Sequence, residues 1–365
     1  MNNKTVFYNG HIWTGDQNYP EAEAMVVEHG RIAAIGTNRE LINQVIGCEK
    51  IDLAGARVIP GLHDSHQHLV NVGRMMDWVN LNGSASRAEV VARCQAYAEA
   101  NPARSIITGR GFLHDSFDDR AMPTRYDLDQ VSENKPVVIV RACGHIAVVN
   151  SAMLRLAGIG HGYQFGSDGQ VDLDANGEPL GIFRESAIAL ISSFYPKDTT
   201  ADVQRYISNA ARAVTASGLT SVQTNDVGNT GNEGWETCLF AYADWIKANP
   251  AGLRVNHQLL FNKVETLLSF HAWRQFNNLA VDAERMSYGP VKIMCDGSLG
   301  GRTAHMLAPY TDDPTTCGVE TLTQDEKTSI LSLGHVLGYQ MSGHAIGDAA
   351  IQGMLNAFEK TLGAN

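Results

Sequence analysis

The alternation of strand-like and helix-like segments in the second half of the chain constrains its fold more than any other feature of the sequence. Four β-rich segments occur there, over residues 219–223, 253–261, 290–295 and 339–344. Helical patterns follow or separate them, over residues 235–248, 264–276, 325–337 and 349–362. Strands joined by helices of this length predict a parallel sheet. An earlier strand around His66 brings the predicted number of strands to five.

That earlier strand ends in a cluster of histidines. The apolar run 57–62 leads into His63-Asp64-Ser65-His66-Gln67-His68. Residues i and i+2 of a strand project from the same face, so His66 and His68 can reach one divalent ion. His63 lies on the opposite face by parity and is left out of the predicted metal set. The alternative is a pair of histidines with a purely structural role.

Two further residues are candidates for the same metal site. Lys292 lies inside an apolar strand, where a lysine is costly unless it is paired or modified. Carbamylation by CO₂ would turn it into a carboxylate, whereas pairing with an acid such as Asp296 is the alternative. His344 ends the segment 339–344, and strand ends are where (β/α) enzymes place their ligands.

Candidate substrate-binding residues come from loops that follow strands. The Gly-rich run Asp296-Gly297-Ser298-Leu299-Gly300-Gly301-Arg302-Thr303 follows the Lys292 strand. Its backbone N–H groups could cradle an anion or a carbonyl oxygen, with Asp296 and Arg302 as candidate side chains, or it could be a plain tight turn. His145 follows the strand-like segment 137–141 and either lines the substrate pocket or joins a polar loop network.

Composition excludes several classes of partner. The chain has 365 residues, a formal net charge of −11 and no basic run, which argues against a nucleic-acid surface. It contains no long apolar stretch and no signal-like N-terminus, so we expect no membrane partner. The six cysteines are scattered without a C-x-x-C motif, which is typical of reduced thiols in the cytoplasm. The expected partner is therefore a small-molecule substrate.

The remaining segments predict two accessory parts. Residues 1–59 look like a small β unit, with hairpins predicted at Asn9-Gly10 and His29-Gly30. Residues 69–218 are far too many for a structureless loop, so we predict an inserted α+β subdomain over the active site. Within it we expect a hairpin around residues 175–178 and a helix capped by Thr200 and ended by Gly218.

Five runs together resemble one known family, the YtcJ-like or amidohydrolase-3 branch of the amidohydrolase superfamily. They occur in family order and span essentially the whole chain. The runs are Pro60-Gly61-Leu62-His63-Asp64-Ser65-His66-Gln67-His68, Gly109-Arg110-Gly111-Phe112 with Pro123-Thr124-Arg125-Tyr126-Asp127-Leu128, Cys143-Gly144-His145 with Asn150-Ser151, Val291-Lys292 through Arg302-Thr303-Ala304, and His344-Ala345-Ile346-Gly347-Asp348.

The resemblance implies an α/β fold of the (β/α)8 TIM-barrel type with a small β-sandwich, and metal-dependent hydrolysis of amide-type C–N bonds. Carried over by position, His66 and His68 are ligands on strand 1. Lys292 is the carbamylated bridging candidate on strand 4, and His344 is a ligand on strand 5. One or two Zn²⁺ ions are expected, and these ligands also suit Mn²⁺, Co²⁺ or Fe²⁺.

The sequence departs from the family pattern after strand 5. Family members continue past strand 5 to a strand-6 histidine and a strand-8 aspartate that acts as general base, and this aspartate is expected beyond Asn365. We therefore predict an incomplete barrel of strands 1–5, formed by residues 60–68 and 219–365, with no catalytic base assigned. An open sheet edge invites pairing with another chain, a homo-oligomer included.

Three other functions stay open from the sequence alone. The alternative to hydrolysis of C–N bonds is a truncated, non-catalytic fragment or pseudoenzyme that binds a partner chain or a small molecule. Within enzymes, a deaminase or a phosphotriester hydrolase could use the same scaffold, because a fold does not fix the reaction.

Overall fold

The computed structural model describes residues 4–44, 47–164, 169–228 and 234–363. The chain divides into two compact units, one of Met1–His63 with Gly218–Ser221 and one of Asp64–Ser217 with Val222–Asn365. The domain limits predicted above stay a prediction, and their ends at residues 1 and 365 lie outside the described residues. Across the described chain, no helix is long and apolar enough to cross a lipid bilayer.

The strands in chain order are β1 Lys4–Tyr8, β2 His11–Trp13, β3 Glu21–Ala22, β4 Ala24–Glu28, β5 Arg31–Gly36, β6 Glu49–Asp52, β7 Arg57–Val58, β8 Leu62–Gln67, β9 Val79–Asn80, β10 Ile107–Phe112, β11 Val137–Arg141, β12 Ile146–Val149, β13 Gln170–Leu173, β14 Pro179–Arg184, β15 Leu219–Val227, β16 Arg254–Leu260, β17 Met286–Met294 and β18 Met341–His344. The α-helices are α1 Asn38–Gln44, α2 Leu69–Met76, α3 Arg87–Ala100, α4 Arg125–Asp129, α5 Ser151–Ala157, α6 Ile188–Ser192, α7 Thr200–Ala216, α8 Trp235–Ala248, α9 Val264–Phe276, α10 Gln324–Val336 and α11 Asp348–Leu362. Short 3₁₀ helices cover His114–Ser116 and Glu185–Ala187.

The first unit contains two small sheets. One has the strand order β5-β4-β1-β6, and the other has the order β3-β2-β7. The hairpin predicted at His29-Gly30 is confirmed, since β4 and β5 pair antiparallel. The hairpin predicted at Asn9-Gly10 is wrong, because β1 pairs with β4 and β6 while β2 pairs with β3 and β7. Asn9 adopts a φ of 58°, so the turn signal is real, but here the turn sends the chain from one sheet to the other.

A five-stranded sheet contains the strand ends that carry the predicted metal ligands. Its order is β18-β17-β16-β15-β8, and these are the five segments that the alternating pattern predicts. β17 runs parallel to both β16 and β18. The α/β fold with a parallel sheet is thus confirmed. Because parallel strands end at the same edge, β16, β17 and β18 bring their C-terminal ends, His344 among them, to one side of the sheet.

A six-stranded mixed sheet occupies much of residues 79–184, in the order β13-β14-β12-β11-β10-β9. One face packs a cluster around Ile107, Phe112 and Ile139, and the other packs a cluster around Val140 and Phe183. The antiparallel pairing of β13 with β14 confirms the predicted hairpin. The predicted cap of α7 is wrong by one residue. Thr199, not Thr200, caps the helix, because its hydroxyl accepts the N–H of Asp202 while the Asp202 carboxylate accepts the N–H of Thr199.

The helix that follows the histidine cluster packs closely against α7. Gly73 of α2 is buried, and a Cβ at this position would overlap the backbone carbonyl of Tyr206 in α7. Only glycine permits this approach, so the packing fixes the helix that begins directly after His68.

His257 of β16 is a fully buried histidine in an aromatic environment. Its ring lies 4.6 Å from the ring of Tyr242 and 6.0 Å from that of Tyr288, measured between centroids. Among the described residues neither ring nitrogen has a hydrogen-bond partner. Burial lowers the pKa of His257 from 6.5 to about 3, so the folded protein holds this ring neutral.

This burial predicts a specific acid sensitivity. Below pH 6.5 the unfolded chain gains a proton at His257 that the folded chain does not bind, so acid favours unfolding. We expect the free energy of unfolding to fall by about 2 kcal/mol more in wild type than in His257→Leu between pH 6.5 and pH 5. Urea denaturation of both proteins at the two pH values measures this difference. Equal losses in both proteins would contradict a buried, neutral His257.

Candidate active site

The two histidines at the end of β8 lie side by side. The ring centroids of His66 and His68 are 5.3 Å apart, with the planes at 80° to each other. His66 is exposed and His68 is half-buried. The structure thus brings the two imidazoles together, as their spacing indicates, and their role as metal ligands stays a prediction.

Each of these rings is oriented through its Nδ1 atom. His66 Nδ1 lies 2.8 Å from Oε1 of Gln258, and His68 Nδ1 lies 3.0 Å from the backbone oxygen of Asn225. A carbonyl-type oxygen only accepts, so each Nδ1 carries the hydrogen and the lone pair of the neutral ring is on Nε2. This is the arrangement that metal-binding histidines commonly show. The chemistry of the pair therefore fits a divalent metal ion.

Lys292 lies near His66. Within the described part of the chain, its ammonium makes no hydrogen bond or ion pair. Burial lowers the pKa of Lys292. Although His66 is largely exposed, the partial burial of its ring is the largest cause that lowers its pKa, and the charge of Lys292 lowers it further, which places the two groups within electrostatic reach. Because CO₂ reacts with the neutral amine, an unpaired lysine with a lowered pKa fits the predicted carbamylation.

The alternative partner of Lys292 is engaged elsewhere. The Asp296 side chain is buried and accepts the backbone N–H groups of His305, Ile346 and Gly347 at 3.0, 3.1 and 2.7 Å. These bonds tie the loop after β17 to the loop after β18. The arrangement favours an anchoring role for Asp296 over direct contact with a substrate.

His344, the fourth predicted ligand, ends β18 beside this anchor. It pairs in register with Met294, and its Nε2 lies 3.9 Å from Oδ1 of Asp296. Over the described ranges, no three or more His, Cys, Asp and Glu side chains lie close enough together to hold a metal ion. The structure therefore groups His66 and His68 with Lys292 nearby, and does not add His344 to a tight cluster with them.

The predicted substrate-binding residues are divided between two settings. His145 lines a cavity of about 510 Å³ that also contacts Gly300 of the loop after β17. His145 Nδ1 lies 2.8 Å from Oε2 of Glu185, which fixes the ring. Arg302 is exposed and forms a two-pronged ion pair with Asp312. The cavity thus joins His145 to the Gly-rich loop, whereas the Arg302 guanidinium binds its own loop.

A larger cavity of about 840 Å³ lies between α2, α7 and β10. Its walls carry ion-paired arginines, among them Arg74 with Asp198 and Arg104 with Asp77. None of the predicted site residues lines it, so the smaller cavity is the better candidate for a substrate.

Cys143 opens onto the smaller cavity and should be the most reactive thiol. Burial alone would raise the pKa of Cys143, but the backbone N–H of His145 and the Arg141 guanidinium outweigh it and lower that pKa. By contrast, burial raises the pKa of Cys94 to about 12 and that of Cys295 to about 11. We expect iodoacetamide at pH 7 to label Cys143 before any other cysteine, because the thiolate is the nucleophile. Peptide mass mapping checks this, and earlier labelling of any other cysteine would contradict it.

The residues that orient the two histidines are not among the predicted site residues. No sequence pattern marks Gln258 as a site residue, because its partner His66 is 192 residues away in the chain. The polar run Thr224-Asn225-Asp226 could have been recognised from its position. It ends the β-rich segment that begins at Leu219, and polar residues at the ends of parallel strands commonly serve the site.

Comparisons with known proteins agree with this fold. The model of the Amidohydrolase family matches residues 49–365. The YtcJ protein of Bacillus subtilis (strain 168) is 30% identical over 98% of this chain and 66% of its own length. A crystal structure of an uncharacterized metal-dependent hydrolase from Pyrococcus furiosus, also 30% identical, superposes with a TM-score of 0.76 over 98% of this chain and 70% of that one.

A shorter match gives one named activity. The N-substituted formamide deformylase of Arthrobacter pascens is 31% identical over 188 residues, which is 51% of this chain and 35% of the deformylase. The chain thus spans slightly less than two thirds of the YtcJ protein and a smaller share of the deformylase. Because the family model matches most of the chain and the YtcJ protein matches nearly all of it, the chain belongs to the Amidohydrolase family, in its YtcJ-like branch.

Proposed function

We propose that this protein is a metal-dependent hydrolase of amide-type C–N bonds. The observation that carries the proposal is the pair His66 and His68, each held through Nδ1 so that Nε2 is its acceptor nitrogen. Membership of the Amidohydrolase family and the likeness to a metal-dependent hydrolase support a hydrolytic reaction. The likeness to a deformylase of N-substituted formamides supports the choice of a C–N bond.

In this proposal His66 and His68 hold the metal, with Lys292 as a carbamate and His344 as further ligands. The chemistry that such an ion, for which we propose Zn²⁺, would supply there is a hydroxide source near neutral pH and polarisation of the substrate carbonyl. Gln258 and the Asn225 carbonyl keep the two imidazoles in the ligating tautomer. Asp296 holds the loops after β17 and β18 in place beside the site.

The chain's own residues also account for substrate binding. His145, fixed by Glu185, presents its second ring nitrogen as a hydrogen-bonding group in the smaller cavity. Gly300 brings the loop after β17 to the same cavity. The N–H groups of Gly297, Gly301 and Arg302 donate to acceptors within the loop, so we propose the N–H of Gly300 as the donor to a carbonyl oxygen there. We propose no residue of this chain as the general base.

The finer description of the fold and the location belong to the same proposal. We propose that β8, β15, β16, β17 and β18 correspond to strands 1–5 of a (β/α)8-type barrel, with residues 1–59 as a sandwich part and 69–218 as an inserted subdomain. No disulfide joins any two of the six cysteines, all of which lie in the described ranges, and this supports a reducing compartment such as the cytoplasm.

A binding function without catalysis is the second candidate. The observation that favours it is that the described residues bring no three His, Cys, Asp or Glu side chains together. A substrate screen separates the two candidates. Zinc-loaded protein is incubated with N-substituted formamides, other amides, imines and phosphotriesters, with His66→Ala as the background.

We expect turnover of at least one amide-type substrate above the His66→Ala background. Turnover of phosphotriesters or imines alone would replace the proposed C–N hydrolysis with another reaction of the scaffold. Absence of turnover for every class, in protein that has bound zinc, would favour the binding function.

A further inference from the structure

The end of β15 lies against the chain immediately after His68. Thr224, Asn225 and Asp226 are all buried, with at most 1% of each exposed. The backbone N–H of Leu69 donates to Oγ1 of Thr224 at 2.9 Å, and that of Val70 donates to Oδ1 of Asp226 at 3.2 Å.

These contacts supply a helix cap that His68 itself does not provide. α2 begins at Leu69, and the His68 side chain makes no capping hydrogen bond. The first N–H groups of a helix need partners from outside it, and here a distant strand supplies them. A carboxylate at this position also interacts favourably with the positive end of the helix dipole. The main chain on the C-terminal side of His68 is therefore fixed by β15.

The carboxylate of Asp226 also accepts hydrogen bonds from two hydroxyl groups. The hydroxyls of Tyr242 and Thr224 both donate to Oδ2 of Asp226, at 2.5 and 2.6 Å. Tyr242 belongs to α8 and is fully buried. The carboxylate is thus bound by a helix, by its own strand and by the start of α2. Both carboxylate oxygens are thus engaged by protein donors, which fits a supporting role and not that of a ligand.

We infer that Asp226 is a positioning residue for the proposed metal centre, and that it sets zinc affinity by holding the His68–Val70 main chain against β15. The inference rests on the proposed function, because it concerns the predicted ligand His68. Its mechanism is geometric. When the main chain stays in place, the His68 Nδ1–H meets the Asn225 carbonyl at 3.0 Å and Nε2 keeps its lone pair.

Asp226→Asn tests this mechanism with a minimal change of shape. The amide has one acceptor oxygen in place of two, so it cannot serve Val70, Thr224 and Tyr242 together. We expect zinc affinity to fall about 10- to 100-fold, the usual effect of changing a residue that orients a ligand. Tyr242→Phe should shift affinity in the same direction by a smaller factor.

A matched control removes a similar bond from another helix of the same unit. Asp129 accepts the backbone N–H and the hydroxyl of Ser151 at the start of α5, at 2.8 and 2.7 Å. Asp129→Asn is the same chemical substitution at another helix start that a distant carboxylate caps. It should leave zinc affinity unchanged.

Two measurements on wild type and the three variants decide whether Asp226 positions His68 for zinc binding. Competition with a chelator gives the zinc Kd, and ¹⁵N NMR of labelled histidine gives the His68 tautomer in metal-free protein, assigned with His68→Gln. The inference predicts weaker zinc binding and a mixed His68 tautomer in Asp226→Asn, with both properties unchanged in Asp129→Asn. A purely structural role would not move the tautomer of one ring.

The inference is overturned if folded Asp226→Asn keeps the wild-type Kd and a single tautomer, or if Asp129→Asn loses affinity to the same extent. If Asp226→Asn does not fold, Tyr242→Phe decides by the same criteria. If wild type binds no zinc, the proposed function fails separately. The tautomer comparison then decides the positioning role, with a mixed tautomer supporting it and an unchanged one overturning it.

Discussion

Replacing His66 with alanine should remove zinc from the protein and abolish hydrolysis. The substitution deletes one of the two imidazoles, those of His66 and His68, that lie side by side at the end of β8. We expect a loss of zinc affinity larger than the roughly 10- to 100-fold that changing an orienting residue produces. Zinc content after dialysis, measured by elemental analysis, gives the result directly.

His63→Ala is the matched control for this experiment. His63 is an exposed histidine three residues earlier in β8, and its Nδ1 lies 2.8 Å from the hydroxyl of Ser221. It should keep the zinc content of wild type, since parity directs its side chain to the opposite face of the strand. Full zinc content in His66→Ala, or equal loss in His63→Ala, would remove His66 from the ligand set.

Replacing Lys292 with arginine should also eliminate activity, while keeping a positive charge. In the proposed modification the neutral amine of Lys292 would attack CO₂, forming an N–C bond as one C=O π bond breaks and losing a proton to water, which would leave a carbamate anion. Arginine stays protonated and cannot follow this path. We expect hydrolysis to fall on the order of 100-fold or more, because a missing ligand removes several kcal/mol of transition-state stabilisation.

The modification itself can be observed. Wild-type protein in ¹³C-bicarbonate should give a carbamate carbonyl signal by ¹³C NMR, and Lys292→Arg should lack it. Lys360→Arg is the control, because Lys360 is an exposed lysine on α11 in the same unit. A carbamate signal that persists in Lys292→Arg would assign the modification to another lysine, and its absence from wild type would refute carbamylation.

Local patterns in the sequence were sufficient to predict most helices and strands of the second unit. Helices α8 and α9 begin and end where the apolar periodicity predicts, and the five predicted strands form one sheet. These elements are determined by side chains close together in sequence, whose spacing matches the 3.6-residue or two-residue period of the element.

The sequence alone did not predict which residues far apart in the chain contact each other. The turn at Asn9-Gly10 is a local property and is present, but the pairing of β1 depends on strands far away in the chain. The hydrogen bond from His68 to Asn225 joins residues 157 positions apart. A single sequence shows that both residues end strands, but not that the strands are neighbours. The candidate ligands were therefore predictable, and the residues that orient them were not.

The metal content of the purified protein shows most directly whether this chain binds a divalent metal ion. Elemental analysis is made on protein whose intact mass has been verified, after dialysis against metal-free buffer and reloading with Zn²⁺. We expect about one or two zinc ions per chain, by analogy with hydrolytic zinc sites that hold one or two ions. A verified chain that retains no zinc, and none of Mn²⁺, Co²⁺ or Fe²⁺ when these are offered, would contradict it.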